Sequence, residues 1–197
     1  TAMPGIAFFD FDGTITTRDT MIELIKFRHG KYRVYTGLAI LCPWLIAMKL
    51  KMISHQKAKE KMLSWFFRGV TETEFSKICD SFTQKKLPLL INKKTIQKIH
   101  EHKANGDEIV VVSASAANWI KSWCNQHGLK CIATQLEIID GKVTGKLAGI
   151  NCNYNEKASR IIKEYDLNNY SPVYCYGDSS GDKAMLNLAT KAFYKSF

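Results

Sequence analysis

The sequence predicts an α/β protein whose core is a doubly wound parallel sheet, with a small α-helical domain inserted after the first strand. Three short apolar runs that end in polar turn residues carry this prediction: Ile6 to Phe11, Glu108 to Ser113 and Val173 to Gly177. Helical patterns lie between and after the last two runs, which is typical of a parallel sheet covered on both faces. The segment from Thr20 to Leu90 holds helical patterns without a strand and is therefore interpreted as an insertion.

The individual elements follow from local patterns. The first run stops at Asp12-Gly13-Thr14, which predicts a buried strand leading into a tight turn. Helical periodicity is present in Met21 to Phe27, His55 to Phe67, Thr73 to Lys85, Asn92 to Asn105, Ala117 to His127, Glu156 to Tyr165 and Asp182 to Ala189. Asp140-Gly141 between two short segments, Leu136 to Ile139 and Lys142 to Thr144, predicts a β-hairpin with a type I′ turn. We expect the sheet-containing core to comprise residues 3–18 and 91–197, and the inserted helical domain residues 19–90.

The length of the chain and the distribution of its charge limit the classes of function that it can have. A chain of 197 residues with 46% apolar content suits one catalytic core with an insertion, not an array of domains. Residues 15–103 contain eighteen Lys and Arg against seven Asp and Glu, whereas the remainder contains ten against eleven. The excess positive charge therefore lies in the insertion and the helix after it, and it predicts an anionic partner. Nucleic acid is suggested by charge alone, because the sequence holds no known reader motif.

The cysteines and the amino-terminal residues indicate the compartment. Six scattered cysteines lack the spacing of a zinc site, and no secretory signal precedes the first strand. We therefore expect reduced thiols in a cytoplasmic protein.

One uncharged segment leaves two interpretations open. Val34 to Met48 is fifteen residues long and lies between basic residues, Arg28, Lys31, Arg33, Lys49 and Lys51. A membrane-spanning helix needs about 20 apolar residues, and this segment also contains Gly37 and Pro43. The segment either packs as a helix pair over the core or makes peripheral contact with an anionic membrane at its inner face.

Two aspartates follow the first predicted strand at positions i and i+2. Asp10 and Asp12 lie at the carboxyl edge of the sheet, where open α/β sheets bind their ligands. Two carboxylates this close ionise together at low cost only when a cation or a shared proton lies between them. The pair therefore predicts a metal-assisted nucleophile beside a proton-transferring group. The competing interpretation is an Asp-Gly turn followed by a capping threonine.

Further polar residues lie at the ends of the other predicted strands. Asp178 and Asp182 follow the third strand, and oxygen ligands from two strand ends suit Mg²⁺. Ser113 ends the second strand before Ala114, so a hydroxyl and backbone amides are placed to hold phosphate oxygens. Lys157 begins a predicted helix and offers a charge for a transferring phosphoryl group. Singly, a capping serine and a solvated lysine are the ordinary interpretations, and the order of all four motifs is what is informative.

That order resembles the haloacid dehalogenase superfamily of aspartate-nucleophile phosphatases, subfamily IB, over Ile6 to about Tyr194. The resemblance implies a Rossmann-like core with a helical cap. It also implies that Asp10 attacks phosphorus and becomes an aspartyl phosphate, while Asp12 protonates the leaving group and then activates water.

The same resemblance implies a ligand set. Mg²⁺ would be held by the Asp10 carboxylate, the Asp12 backbone carbonyl and Asp178, with Asp182 ordering metal-bound water or the lysine. Ser113, Ala114 and Lys157 would hold the phosphoryl oxygens.

The cap residues bear on the substrate. Phosphoserine phosphatases of this subfamily bind the amino group of the substrate with a Glu after the first motif, and its carboxylate with a cap Arg. Here the corresponding positions hold Asp19 and Lys59. A lysine lacks the planar fork that matches a carboxylate, which argues against phosphoserine. The ordinary interpretation of Asp19 is an acid at a helix N-terminus.

Several substrates and classes stay open at this level. The uncharged cap segment with basic flanks is similar to relatives that dephosphorylate the lipid head group of phosphatidylglycerophosphate. Phosphoserine, sugar phosphates and nucleotides are the soluble alternatives, and transfer to a hydroxyl acceptor replaces hydrolysis in a phosphotransferase. A receiver-like signalling module is the alternative of another class, but such modules lack the cap and the second acidic pair.

Overall fold

The computed structural model describes residues 3–197 and contains seven strands within that range. They are β1 (Ile6–Phe9), β2 (Glu108–Ala116), β3 (Lys130–Thr134), β4 (Leu136–Ile139), β5 (Lys142–Leu147), β6 (Val173–Gly177) and β7 (Lys191–Tyr194). Five of them form a parallel sheet in the order β3-β2-β1-β6-β7. Ile6 pairs with both Glu108 and Val173, so β1 is central. The predicted α/β fold with a parallel sheet is confirmed.

The described residues also contain seven α-helices. They are α1 (Thr20–Lys49), α2 (His55–Phe67), α3 (Glu72–Lys85), α4 (Lys93–Ala104), α5 (Ala117–Gln126), α6 (Asn155–Glu164) and α7 (Lys183–Leu186). Four of them begin after a residue whose side chain accepts a hydrogen bond from a backbone N–H of the first turn, namely Asp19, Ser54, Thr71 and Asn92. Such capping satisfies donors that the helix itself leaves free.

Alternate residues of β1 face opposite sides of the sheet. Phe8 packs in one apolar cluster with Ile161 of α6 and Met185 of α7. Phe9 packs in the other, larger cluster, which includes Ile99 of α4 and Trp123 of α5. Both faces of the sheet are therefore covered by helices, and every residue of β1 is buried.

The helical insertion follows β1, as predicted. It comprises α1, α2 and α3, and its two ends meet at the core: Thr17 N–H donates to the Leu90 carbonyl at 2.8 Å, and Asn92 N–H donates to the Ile15 carbonyl at 2.8 Å. The hairpin of β4 and β5 packs beside the insertion, because Gly69 N–H donates to the Val143 carbonyl at 2.8 Å. The insertion and this hairpin therefore pack together as one side of the molecule.

The hairpin turn is of the predicted type. Asp140 and Gly141 have φ angles of 49° and 68°, and a type I′ turn requires positive φ at both central residues. At Gly145 a side chain would collide with α2, because a Cβ atom there would lie 2.3 Å from the Ser64 Cα.

The first helix differs from the expectation. The sequence predicts a helix over Met21 to Phe27 and a separate uncharged segment, whereas α1 runs through both with a kink at Gly30 (φ 78°, ψ 161°). Val34, Gly37 and Leu41 are buried, while the other side of the segment is exposed. Among residues 3–197 no helix has both the length and the apolar composition needed to cross a bilayer.

Candidate active site

A cavity of about 490 Å³ opens at the carboxyl ends of β1, β2 and β6. The parallel pairing of these strands brings residues that are far apart in sequence to one edge of the sheet. Its walls include predicted residues, namely Asp10, Asp12, Asp19, Lys59, Ala114, Lys157, Asp178 and Asp182. They also include residues that were not predicted as site residues, namely Gly13, Thr17, Arg18, Met21, Ser115, Asn151, Asn153 and Ser179.

A buried lysine joins two aspartates at the floor of the cavity. Lys157 Nζ donates to Asp10 Oδ1 at 2.5 Å and to Asp182 Oδ1 at 2.6 Å, and its side chain is 1% exposed. Burial alone lowers the pKa of Lys157, but the two carboxylates outweigh it and raise this pKa above its ordinary value. Burial raises the pKa of Asp10 to about 7, although the ammonium group of Lys157 opposes that shift.

Asp182 is fully engaged by the protein. Its Oδ2 accepts hydrogen bonds from the Asp178 and Ser179 backbone N–H groups and from the Ser179 hydroxyl, at 2.9 to 3.1 Å. Gly177 makes this approach possible, because a Cβ atom there would lie 2.5 Å from the Asp182 Cβ. Asp182 therefore orients Lys157 and the turn after β6.

Asp178 has an unpaired oxygen that fits a cation. Its Oδ1 is buried without a hydrogen-bond partner in the described residues, and burial followed by the charge of Asp182 raises its pKa. Asp10, Asp178 and Asp182 each offer a carboxylate oxygen within 4.8 Å of one another. An unpaired buried oxygen in an all-oxygen donor set is the environment that a hard divalent cation such as Mg²⁺ requires. This acidic cluster can bind a metal ion.

Asp12 belongs to a different hydrogen-bond network. Its Oδ1 accepts from the Thr20 backbone N–H at 2.6 Å, and its Oδ2 accepts from the Ser115 hydroxyl at 2.5 Å. The Thr20 and Ser115 hydroxyls lie 3.1 Å apart, and Trp119 Nε1 donates to Thr20 Oγ1 at 3.0 Å. The start of α1 and the end of β2 therefore fix the Asp12 carboxylate at the cavity wall.

The end of β2 contributes backbone and Ser115 to the cavity. Ser113 is fully buried, and its Oγ accepts from the Ser115 backbone N–H at 3.0 Å, whereas Ala114 and Ser115 line the cavity. The structure thus brings Ala114 to the cavity, as predicted, but places Ser113 behind it. A second serine two residues along the same run was the available sequence signal for Ser115.

Both predicted cap residues reach the cavity. Lys59 Nζ donates to the Ala114 carbonyl at 2.8 Å and to Asn151 Oδ1 at 3.0 Å, and burial lowers its pKa. Asp19 accepts from the Ile22 backbone N–H at 2.9 Å, so it also caps α1. The helical insertion therefore supplies one basic and one acidic side chain to the cavity wall.

Comparison with known proteins agrees with this architecture. Residues 7–187 match the family of haloacid dehalogenase-like hydrolases. Protein CicA of Caulobacter vibrioides is 30% identical over 196 residues, which cover 98% of this chain and 87% of that protein.

Solved structures share the fold. A protein of unknown function from Bordetella pertussis Tohama I superposes with a TM-score of 0.84 at 20% identity, over 97% of this chain and 89% of that one. A substrate-bound phosphoserine phosphatase superposes with a TM-score of 0.73 at 20% identity, over 98% of this chain and 87% of that one. With its parallel sheet, helical cap and acidic cavity, the chain belongs to the haloacid dehalogenase-like hydrolases.

Proposed function

We propose that the protein is a Mg²⁺-dependent phosphatase that hydrolyses phosphomonoesters through an aspartyl phosphate on Asp10. The observation that carries the proposal is the buried contact of Asp10 with Lys157, beside the unpaired oxygen of Asp178. A carboxylate is a poor nucleophile towards a phosphate dianion unless positive charge neutralises both. Lys157 supplies one such charge, and Asp182 holds it in place.

The chemistry divides into two displacements. An Asp10 carboxylate oxygen forms a bond to phosphorus as the bond to the leaving oxygen breaks, and Asp12 donates a proton to that oxygen. Asp12 then takes a proton from water, which attacks phosphorus and releases inorganic phosphate and the free Asp10 carboxylate. One group serves as acid and then as base because the first step leaves it deprotonated.

The surrounding groups position the reactants. Asp10 and Asp178 would hold Mg²⁺ with the Asp12 backbone carbonyl, and the bound ion would neutralise charge on the phosphoryl oxygens. Lys157 and the backbone after Ser113 would contact those oxygens. Asp182 acts through Lys157, since each of its oxygens is already engaged.

We further propose that the insertion selects a lipid head-group phosphate. The second half of α1 exposes large apolar side chains, among them Tyr35 (61% exposed), Ile40 (51%) and Trp44 (42%), and Trp65 of α2 is 53% exposed. Exposed basic residues flank them, namely Lys31, Arg33, Lys49 and Lys51. Apolar side chains within a basic surround bind anionic membrane interfaces. This feature favours a lipid over phosphoserine, the second candidate, for which Asp19 and Lys59 would bind the amino and carboxylate groups.

The reaction is tested with a panel of phosphomonoesters, with and without Mg²⁺. The panel includes p-nitrophenyl phosphate, phosphoserine and a short-chain phosphatidylglycerophosphate. We expect hydrolysis that requires Mg²⁺ and is abolished in Asp10→Asn, while the exposed control Asp80→Asn retains it. Asp10→Asn activity above a few per cent of wild type would exclude Asp10 as the nucleophile. A tenfold preference for phosphoserine would overturn the lipid assignment.

Membrane contact is tested by co-sedimentation with vesicles of neutral or mixed neutral and anionic lipids. We expect binding to the anionic vesicles that weakens with salt and is reduced in Trp44→Ser with Trp65→Ser. Ile162→Ser, which removes an exposed apolar side chain of α6, is the matched control. Equal binding of both variants, or no binding at low salt, would refute the role of this surface.

A further inference from the structure

The loop before α6 sends an asparagine into the cavity. Asn153 lines the cavity and lies directly over Gly181 of the turn after β6. A Cβ atom at Gly181 would lie only 2.1 Å from Asn153 Oδ1 and 3.3 Å from its Nδ2. The absence of a side chain at Gly181 is therefore what allows the Asn153 amide to occupy this place.

Hydrogen bonds fix which end of the amide is free. Asn153 Oδ1 accepts from the Tyr154 backbone N–H at 3.0 Å, and the same N–H donates to the Gly181 carbonyl at 2.9 Å. Oδ1 is thereby assigned as the acceptor that faces the protein. None of the bonds that hold this loop uses the Asn153 Nδ2 group, so its two N–H donors remain for a ligand.

The loop keeps this geometry at a conformational cost. Tyr154 has φ 50° and ψ −129°, a backbone region that residues with side chains rarely adopt. Such strain persists only where neighbouring contacts enforce it, and it is commonly found at binding and catalytic sites. Here the enforcing contacts are the two acceptors of the Tyr154 N–H.

The position of the amide indicates what it binds. Gly181 directly precedes Asp182, whose carboxylate accepts from Lys157, and Lys157 in turn contacts Asp10. Asn153 and Lys157 therefore line the same cavity, and Asn153 lies against the turn that leads into the aspartate holding the ammonium group. Two donors beside a cation suit an anionic oxygen.

We propose that Asn153 is a substrate-binding residue whose Nδ2 donates a hydrogen bond to a non-bridging oxygen of the bound phosphomonoester. Gly181 is the positioning residue that leaves room for it. This inference rests on the proposed phosphatase function, and it adds a binding group that none of the sequence motifs identified.

The first test compares Asn153→Ala and Asn153→Asp with wild type on p-nitrophenyl phosphate in Mg²⁺. Loss of a hydrogen bond to a charged oxygen weakens binding affinity by a factor of about 10 to 100. We expect KM to rise at least tenfold in Asn153→Ala, with kcat within about threefold, because the contact is made before and during reaction. The carboxylate of Asn153→Asp should weaken binding further through repulsion. Asn125→Ala, an exposed asparagine of α5, is the control and should match wild type.

The second test asks whether Gly181 acts through Asn153. Gly181→Ala should raise KM to a similar extent, and the double variant Gly181→Ala with Asn153→Ala should be no worse than the poorer single variant. Additive effects would remove Gly181 from this role. Protection of wild type against thermal unfolding by inorganic phosphate and Mg²⁺ gives a readout without turnover, and Asn153→Ala should lose most of it.

These outcomes separate the inference from the proposed function. If wild type hydrolyses no phosphomonoester and gains no stability from inorganic phosphate, both fail together. If wild type is active but Asn153→Ala retains its KM within twofold and its phosphate protection, the assignment of Asn153 alone is refuted.

Discussion

Replacing Asp10 with asparagine is expected to abolish turnover and yet stabilise the metal-free protein. Burial raises the pKa of the Asp10 carboxyl from 3.8 to about 7. A pKa difference of one corresponds to about 1.36 kcal/mol. Keeping this carboxyl ionised at neutral pH therefore lowers the free energy of unfolding by at most about 4 kcal/mol. A carboxamide carries no charge but binds Lys157 less strongly. We therefore expect a net stabilisation of about 2 kcal/mol in Asp10→Asn.

The pH dependence has a defined sign. Well below pH 3.8 the Asp10 carboxyl is protonated in both the folded and the unfolded state, so it makes no pH-dependent contribution to stability. Between pH 4 and 7 the unfolded chain loses this proton while the folded chain retains it, so wild type loses stability as pH rises. The advantage of Asp10→Asn should therefore grow from pH 4 to about pH 7 and then stay constant.

Thermal unfolding in EDTA at several pH values measures this difference. For a chain of this size 2 kcal/mol corresponds to a Tm increase of about 4–8 °C. Asp80→Asn should follow wild type at every pH. Addition of Mg²⁺ should reduce or reverse the difference, because the ion stabilises the protein that binds it. A lower Tm for Asp10→Asn than for wild type at pH 8 in EDTA, or a difference independent of pH, would refute the reasoning.

Three further changes have expected outcomes. Lys157→Met leaves two buried carboxylates without their cation, which should lower the free energy of unfolding by about 3–5 kcal/mol and the Tm by about 10 °C. The control Lys163→Met, at an exposed position, should not change the Tm. Gly13→Ala places a Cβ atom 2.2 Å from the Asp178 Oδ2 at a φ of 84°, so the Mg²⁺-induced Tm increase should require at least about tenfold more Mg²⁺. Tyr176→Phe removes a hydroxyl bonded at 2.8 Å to a buried histidine nitrogen, and urea unfolding should show a loss of about 1 kcal/mol.

The sequence predicted the central strands of the sheet but not its edge strands. β1, β2 and β6 are buried on both faces and therefore form continuous apolar runs. β7 is a four-residue edge strand that is mostly exposed, so it carries no such run and was missed. β3 was also missed, because its five residues begin with the exposed Lys130 and offer only a short buried stretch.

The residues of the candidate site likewise fall into those that the sequence predicted and those that it did not. Asp10 was predictable from the acidic pair after the first strand and Lys157 only from the order of the four motifs, although 147 positions separate the two residues in the chain. Asn153 reaches the cavity through the loop before α6, which no local periodicity encodes, and Ser115 reaches it through the irregular end of β2, where the pairing register shifts between Ser113 and Ala116. Their placement depends on contacts with distant residues, such as the approach of Asn153 to Gly181.

The two ends of the helical insertion meet at the core, and this has an evolutionary consequence. Because Thr17 and Leu90 are hydrogen-bonded neighbours, the two ends of the insertion are held together at the core, as the ends of a closed loop are. Doubling the length of such a loop costs only about 0.6 kcal/mol of closure entropy, so the size of the insertion can change while the edge of the sheet that borders the cavity stays intact. The hairpin of β4 and β5 does not share this freedom, since it contacts α2 closely at Gly145. A change of substrate by exchange of the insertion would therefore require compensating substitutions in the hairpin.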